Sequence, residues 1–308
     1  MKKSICLCAL LALMLFHADY VTEGARNGLL LWYSSVVPAL FPFMVLSGLI
    51  VAGGGISVLM SPFYLFLHPL LGLSKAGCYV LVSGLLCGYP MGAKTCADFV
   101  REGRLSPLEG NFLMAFCNHP SPMFLLGYVY PFFAKQLPLG ILLLSVYGPV
   151  LILAFAARLV CRNGGQNMPR QNDLEMRHVS RQIPSSDETI LSAVEILCKI
   201  GGYLILFSIV IVFLKRSERI PFLIKLLLSA SMEMTTGIRE AASMLPFPVS
   251  GAVACAALTF GGFSGLFQTK AVLGDVRDLS IHTYFLWKLL HAGLSFTVFF
   301  LLTRPLFP

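Results

Sequence analysis

From Pro138 to Val160 the chain reads PLGILLLSVYGPVLILAFAARLV, and Arg158 is the single charge in the run. A helix that crosses a bilayer needs about 20 predominantly apolar residues. Six further runs meet that requirement, at about 4–19, 27–52, 107–132, 190–214, 249–269 and 280–303. A chain that is 56% hydrophobic and only 12% charged cannot cover a water-facing surface, and its mean hydropathy of +0.78 agrees. The sequence therefore predicts an all-α polytopic membrane protein. Its formal net charge of +8 is read as loop charge that sets topology, not as a nucleic-acid surface.

The first residues, MKKSICLCALLALMLFHADY, carry two lysines and an apolar core but no small-residue cleavage site around Ala18. They predict an uncleaved first helix. The nine cysteines are scattered through apolar runs with no CxxC spacing, so neither a zinc site nor a disulfide framework is expected. They read as small packing residues. No cofactor and no metal is expected.

One polar segment, CRNGGQNMPRQNDLEMRHVSRQIPSSDE at 161–188, has almost no large apolar residue and reads as a solvated linker. It divides the chain into a first helix with a short loop (1–26), a first membrane half (27–160), the linker (161–189) and a second half (190–308). Two segments are too broken for plain spans. Residues 76–103 run apolar to GYPMG and then turn amphipathic, and residues 221–243 do the same around Thr235, Thr236 and Gly237. Gly and Pro at depth free backbone groups that lipid cannot satisfy. Both segments are read as re-entrant hairpins. An interrupted apolar helix follows each, NFLMAFCNHPSPMFLLG in the first half and ACAALTFGGFSGLFQT in the second.

Placing Gly92 on Gly237, 145 residues later, puts Lys94 on Arg239 and brings Ser121 within two residues of Ser264. Paired interrupted segments at corresponding positions point to a transporter's midplane site. If the hairpins do not cross, each half crosses three times, and an odd number inverts the second copy. With Lys2 and Lys3 inside, Arg101, Arg104, the arginines of the linker, Lys270 and Arg277 also fall inside, as the positive-inside rule asks. Lys215, Arg216 and Arg219 fall outside and break it.

The motif GYPMGAK (Gly88–Lys94), the loop carrying Glu109, and the break at Asn118, Ser121 and Pro122 resemble the YlbJ family of sporulation integral membrane proteins, identified as nucleoside-recognition or Gate domain proteins. FGGFSGLFQ (260–268) and WKLLHAG (287–293) support the likeness in the second half. The resemblance implies two inverted Gate-type repeats, each with a re-entrant hairpin and a broken transmembrane helix, similar to concentrative nucleoside transporters. It further implies a role in endospore formation, moving dipicolinic acid from mother cell toward forespore across the outer forespore membrane. A nucleoside carrier is one alternative. Another is a non-transporting assembly factor, working as a homo-oligomer or with a sporulation membrane partner.

Gly88, four residues, Ala93, Lys94 and Thr95 nearly spell a nucleotide-binding loop. A P-loop needs Gly before the Lys and a soluble strand upstream, and neither is present. A helix restarting at a hairpin tip instead presents free N–H groups and a positive dipole end. Gly88, Tyr89, Gly92 and Lys94 could thus hold a small carboxylate; the competing reading is a Lys94–Asp98 pair at i, i+4. Asn118 and Ser121 make a polar break able to bind a ligand, and His119 either relays protons or bonds the break. Glu233, just before the second tip, either serves ion or proton coupling or pairs with Arg239. Thr235, Thr236, Gly237 and Ser264 supply neutral groups around the expected site. Lys288 and His291, at i, i+3, face the bundle or anchor at the interface beside Trp287, the latter reading being favoured. Glu195 and Lys199 read as a helix pair. No nucleophile–base constellation or cofactor fingerprint appears, so an enzyme is not expected.

Overall fold

The computed structural model describes residues 2–53, 55–163 and 185–306. Among them there is no strand. The chain opens with α1 (Lys2–Phe16) and α2 (Ala18–Leu31), set at 96° across His17, whose backbone leaves helical geometry. A π-helical turn (Trp32–Val36) leads into α3 (Val37–Ala52). Then come α4 (Ile56–Leu71), which holds Pro62 and Pro69, and α5 (Lys75–Cys87), bent from it by 102°. α6 (Met91–Arg101) completes the first hairpin. α7 (Pro107–Met114) stops before a break at 115–121, and helix resumes as α8 (Pro122–Phe124), a π turn (Leu125–Val129) and α9 (Tyr130–Phe133). α10 (Leu139–Asn163) ends the first half. The second half runs α11 (Ser186–Arg216), α12 (Phe222–Met232), α13 (Met234–Met244), α14 (Val249–Phe260), α15 (Gly262–Leu273) and α16 (Ile281–Thr303).

Four helical stretches are long and apolar enough to cross a membrane, and up to six if each bent pair is one span. The seven expected spans are revised accordingly. The run at 4–19 is the first arm of a bent pair. The run at 107–132 is interrupted for seven residues around Pro120. α4, which was not expected, joins α5 as a second bent pair. Most of the predicted linker lies outside the described residues, but its ends are helical. Ser185 and Glu188 form a reciprocal capping box that starts α11, at 3.1 and 2.8 Å.

The order of broken elements recurs along the chain: hairpin α5–α6, broken helix α7–α9 and long α10, then hairpin α12–α13, broken pair α14–α15 and long α16. Each hairpin closes on a pair of small residues. In the first, a Cβ built on Gly84 would stand 3.0 Å from the Gly92 Cα; in the second, a Cβ on Gly237 would stand 2.6 Å from the Ala230 Cβ. Close approach of backbones through small residues is how apolar helices associate without a hydrophobic drive between them.

Polar contacts join segments that are distant along the chain. Asn111 donates from Nδ2 to the Asp278 carbonyl at 2.5 Å and accepts from the Ser280 N–H at 3.0 Å, joining the two regions read as inside. Elsewhere Arg216 pairs with Glu23 at 2.8 Å, and Lys215 pairs with Glu240. Two of the three cations that break the positive-inside rule are therefore held by acids.

Candidate solute site between the hairpin tips

Both hairpin tips dock on the broken helix of their own half. The first tip turns at Gly88 with φ +80°, and a side chain there would stand 2.8 Å from the Ser121 N–H nitrogen. Only glycine combines that left-handed geometry with so close an approach. Ser121 caps α8 by accepting from the Phe124 N–H at 3.2 Å. The second tip, Met232–Glu233, lies on Gly262, whose φ of +69° follows the break at Gly261. Glu233 is extended, 1% exposed, and caps α13. Its carboxylate accepts from the Thr235 N–H at 3.0 Å, from the Thr236 N–H at 2.8 Å, and from the Thr235 hydroxyl. An acid on the first N–H groups of a helix is stabilised by the dipole and by the orphan donors.

A cavity lies where these four elements meet. Gly88 and Tyr89 line it from the first tip, Glu233 and Thr235 from the second, and Ser121 and Ser264 from the two broken helices. Gln268, one turn beyond Ser264 and donating to its hydroxyl at 3.0 Å, completes the polar wall. The π turn contributes Ser35 and Val36, and α11 contributes Ile200 and Leu204. There is room for about 50 Å³ of water-sized molecular centres, enough for a few waters. Its only lining carboxylate is Glu233, and no lysine or arginine lines it.

The structure brings six of the twelve expected site residues to this cavity and places the others differently. Gly92 and Gly237 pack the hairpin arms. Lys94 bonds Asp98 at 2.6 Å on a partly exposed face of α6, and Asp98 also holds Arg101 at 2.7 Å. Lys94 is not among the residues that line the cavity, and the geometry is that of the competing reading, a pair with an i, i+4 acid. Thr236 acts through its backbone N–H. Glu233 caps its helix, whereas Arg239 is exposed. Glu195 and Lys199 form the expected pair at 2.6 Å.

Asn118 and His119 are buried behind the lining. Asn118 donates from Nδ2 to the Tyr284 hydroxyl at 2.9 Å and to Thr269 Oγ1 at 3.1 Å. The His119 ring meets Tyr147 edge-on at 5.8 Å, and Tyr147 donates to the Pro120 carbonyl at 2.9 Å. Lys288 and His291 do not anchor at an interface, for each is 2% exposed. Lys288 donates to the Tyr89 hydroxyl and, at 3.1 Å, to the Asn118 carbonyl. His291 Nε2 contacts the Val146 carbonyl at 3.0 Å. Tyr89 in turn donates to the Thr259 carbonyl at 2.8 Å. Gln268 was missed, although its place one helical turn after Ser264 was a readable signal.

No family model matches the chain, and no solved structure matches it. The chain is 28% identical over 335 aligned positions, covering 97% of its own length and 81% of the relative's, to the sporulation integral membrane protein YlbJ of Bacillus subtilis strain 168. That likeness and the apolar helices make it a multi-pass integral membrane protein. The similarity runs through both membrane halves, so over nearly its whole length the chain is similar to the YlbJ sporulation integral membrane protein.

Proposed function

We propose that this protein is a secondary carrier, not an enzyme, for a small polar, anionic solute during endospore formation. Dipicolinate is the leading candidate, moved from mother cell toward forespore across the outer forespore membrane. The observation that carries this reading is the convergence of two hairpin tips and two helix breaks on one cavity between the halves, with Ser121, Glu233, Ser264 and Gln268 set in a largely apolar wall. Backbone that leaves the helix inside a membrane protein is tolerated where it lines such a cavity. The likeness to a sporulation membrane protein supports the setting.

For a solute to pass from one face to the other, the tips would have to part in turn. The natural motion is separation of a tip from its broken helix: Gly88 from Ser121 on one side, Glu233 from Gly262 on the other. In an inverted pair of repeats, these two separations would open the site to opposite faces in turn. In that scheme the Ser121, Ser264 and Gln268 side chains orient the solute, and no cofactor takes part.

A nucleoside carrier is the second reading. It is favoured by a lining that is neutral apart from Glu233, with Lys94 not among the lining residues. Uptake of radiolabelled dipicolinate into proteoliposomes, with uridine as competitor, decides between them. Saturable uptake unaffected by uridine supports the anion carrier, and uptake of uridine itself supports the nucleoside carrier. Transport of neither, by folded protein, would overturn the carrier reading and leave an assembly factor that acts with a membrane partner or as a homo-oligomer.

A further inference from the structure

Lys94, Glu233 and Lys288 are titratable side chains close to the two tips, and the first two are answered locally. The Lys94 charge is met by Asp98, and the Glu233 charge by the start of α13. Lys288 is the third. Its ammonium stands 4.5 Å from the centre of the Tyr89 ring and bonds the Tyr89 hydroxyl and the Asn118 carbonyl. The groups that interact with it are Tyr89 from the first tip, Cys117 and His119 from the break, and His291 from its own helix, with Tyr147 and Tyr284 close to Tyr89. Among the described residues no carboxylate pairs with it. Asn118, whose carbonyl holds Lys288, also has its Oδ1 buried without a hydrogen-bond partner.

A buried amine is costly to keep charged unless a counter-charge meets it, so a negative charge brought beside it favours its ammonium form. Here the protein supplies only a phenol and a carbonyl. Tyr89 is the shared element: its hydroxyl holds Lys288, and the same residue lines the cavity. A solute seated against Tyr89 is therefore the nearest place from which a negative charge can arrive.

We propose that Lys288 selects the charge of the solute: its ammonium, held against the tip by Tyr89, favours an anion in the cavity over a neutral molecule of the same shape. This rests on the carrier reading above. Lys288 does not line the cavity, so it acts through Tyr89 and through its field, which a low-dielectric interior screens weakly. A purely structural lysine would affect charged and neutral solutes alike, whereas a charge selector changes only their ratio.

The test uses the full chain in proteoliposomes and two probes of matched shape, pyridine-2,6-dicarboxylate and pyridine-2,6-dicarboxamide, with uridine as a third. Wild type is expected to prefer the dicarboxylate by about tenfold or more, the effect of one weakly screened charge. Lys288→Met is expected to bring that ratio near one while handling the dicarboxamide as wild type does. Lys288→Arg and Lys94→Met are expected to keep the preference. Equal loss of both probes in Lys288→Met makes the role structural and overturns the proposal. So does a wild type without anion preference, or a preference that vanishes in Lys94→Met; these two results hold even if Lys288→Met does not insert. Wild-type transport of uridine but not of the dicarboxylate overturns the selection and leaves the carrier standing. Transport of none of the three overturns both.

Discussion

The Cys117 carbonyl occupies a notch formed jointly by Gly84 on α5 and Gly92 on α6, and this contact sets how the first hairpin grips its broken helix. A Cβ on Gly92 would stand 2.8 Å from the Cys117 carbonyl carbon, and one on Gly84 would stand 3.2 Å from it, each nearer still to the oxygen. Carbon atoms rest at about 3.5–4.0 Å, so either methyl forces a displacement of several tenths of an ångström or more in main chain that has no rotamer to change. Inserting a methyl into packed structure costs about 1–3 kcal/mol, against the ~1 kcal/mol that Gly→Ala gains in an open helix. So close a main-chain contact calls for the upper part of that cost, about 2–3 kcal/mol, so Gly92→Ala is expected to lower stability by about 1–2 kcal/mol net, and Gly84→Ala by a similar amount. Both methyls meet the same carbonyl, and one retreat of that carbonyl relieves both, so the double variant should cost less than the sum of the two. Gly293→Ala, with nothing within 4 Å of the added Cβ, is the control and should be neutral or stabilising. Denaturation by sodium dodecyl sulfate in mixed micelles provides the free energies. A Gly92→Ala variant as stable as wild type, or a double variant costing the full sum, would refute the shared notch.

Three further outcomes follow from the site. Lys94→Met removes a pair whose side chains are 23% and 30% exposed; it should cost less than about 1 kcal/mol and leave the maximal uptake rate unchanged, and a large loss of uptake would return Lys94 to the solute. Glu233→Gln weakens the cap on α13 by about 1 kcal/mol, which hydrogen exchange should register as faster turnover at Thr235 and Thr236, while unchanged protection there would contradict the capping role. Tyr89→Phe leaves the buried Lys288 ammonium with the Asn118 carbonyl alone and the Thr259 carbonyl without its donor, a loss of about 1–3 kcal/mol to be measured in the same mixed micelles.

Much of the architecture was legible because breaks in an apolar chain are conspicuous. Gly88 and Pro90, Pro120 and Pro122, and Gly261 and Gly262 stand where a membrane helix cannot continue unaided, and the structure unwinds or turns at each. Two elements escaped for opposite reasons. α4 is apolar but contains Pro62 and Pro69, which disguise a helix that the chain nevertheless forms. The start of α11 is polar enough to pass for linker, although Ser185 and Glu188 have the spacing of a capping box.

The two lysines show where a linear reading fails. Lys94 sits inside a motif at a hairpin tip and Lys288 in the middle of an apolar helix beside a tryptophan, so proximity along the chain favoured the first. What decides the matter is which face of a helix turns inward and what else shares that face. On α6 the face carrying Lys94 also carries Asp98, four residues on, and the pair satisfies itself at the margin. On α16 the inward stripe is Tyr284, Lys288, His291 and Ser295, with no acid among them. A cation on that stripe has to find its counter-charge elsewhere. Glu233 is not paired with it and instead holds the start of α13 with both oxygens; a coupling cation or proton at Glu233 would have to compete with that cap. In the proposed carrier, that counter-charge would come from the solute.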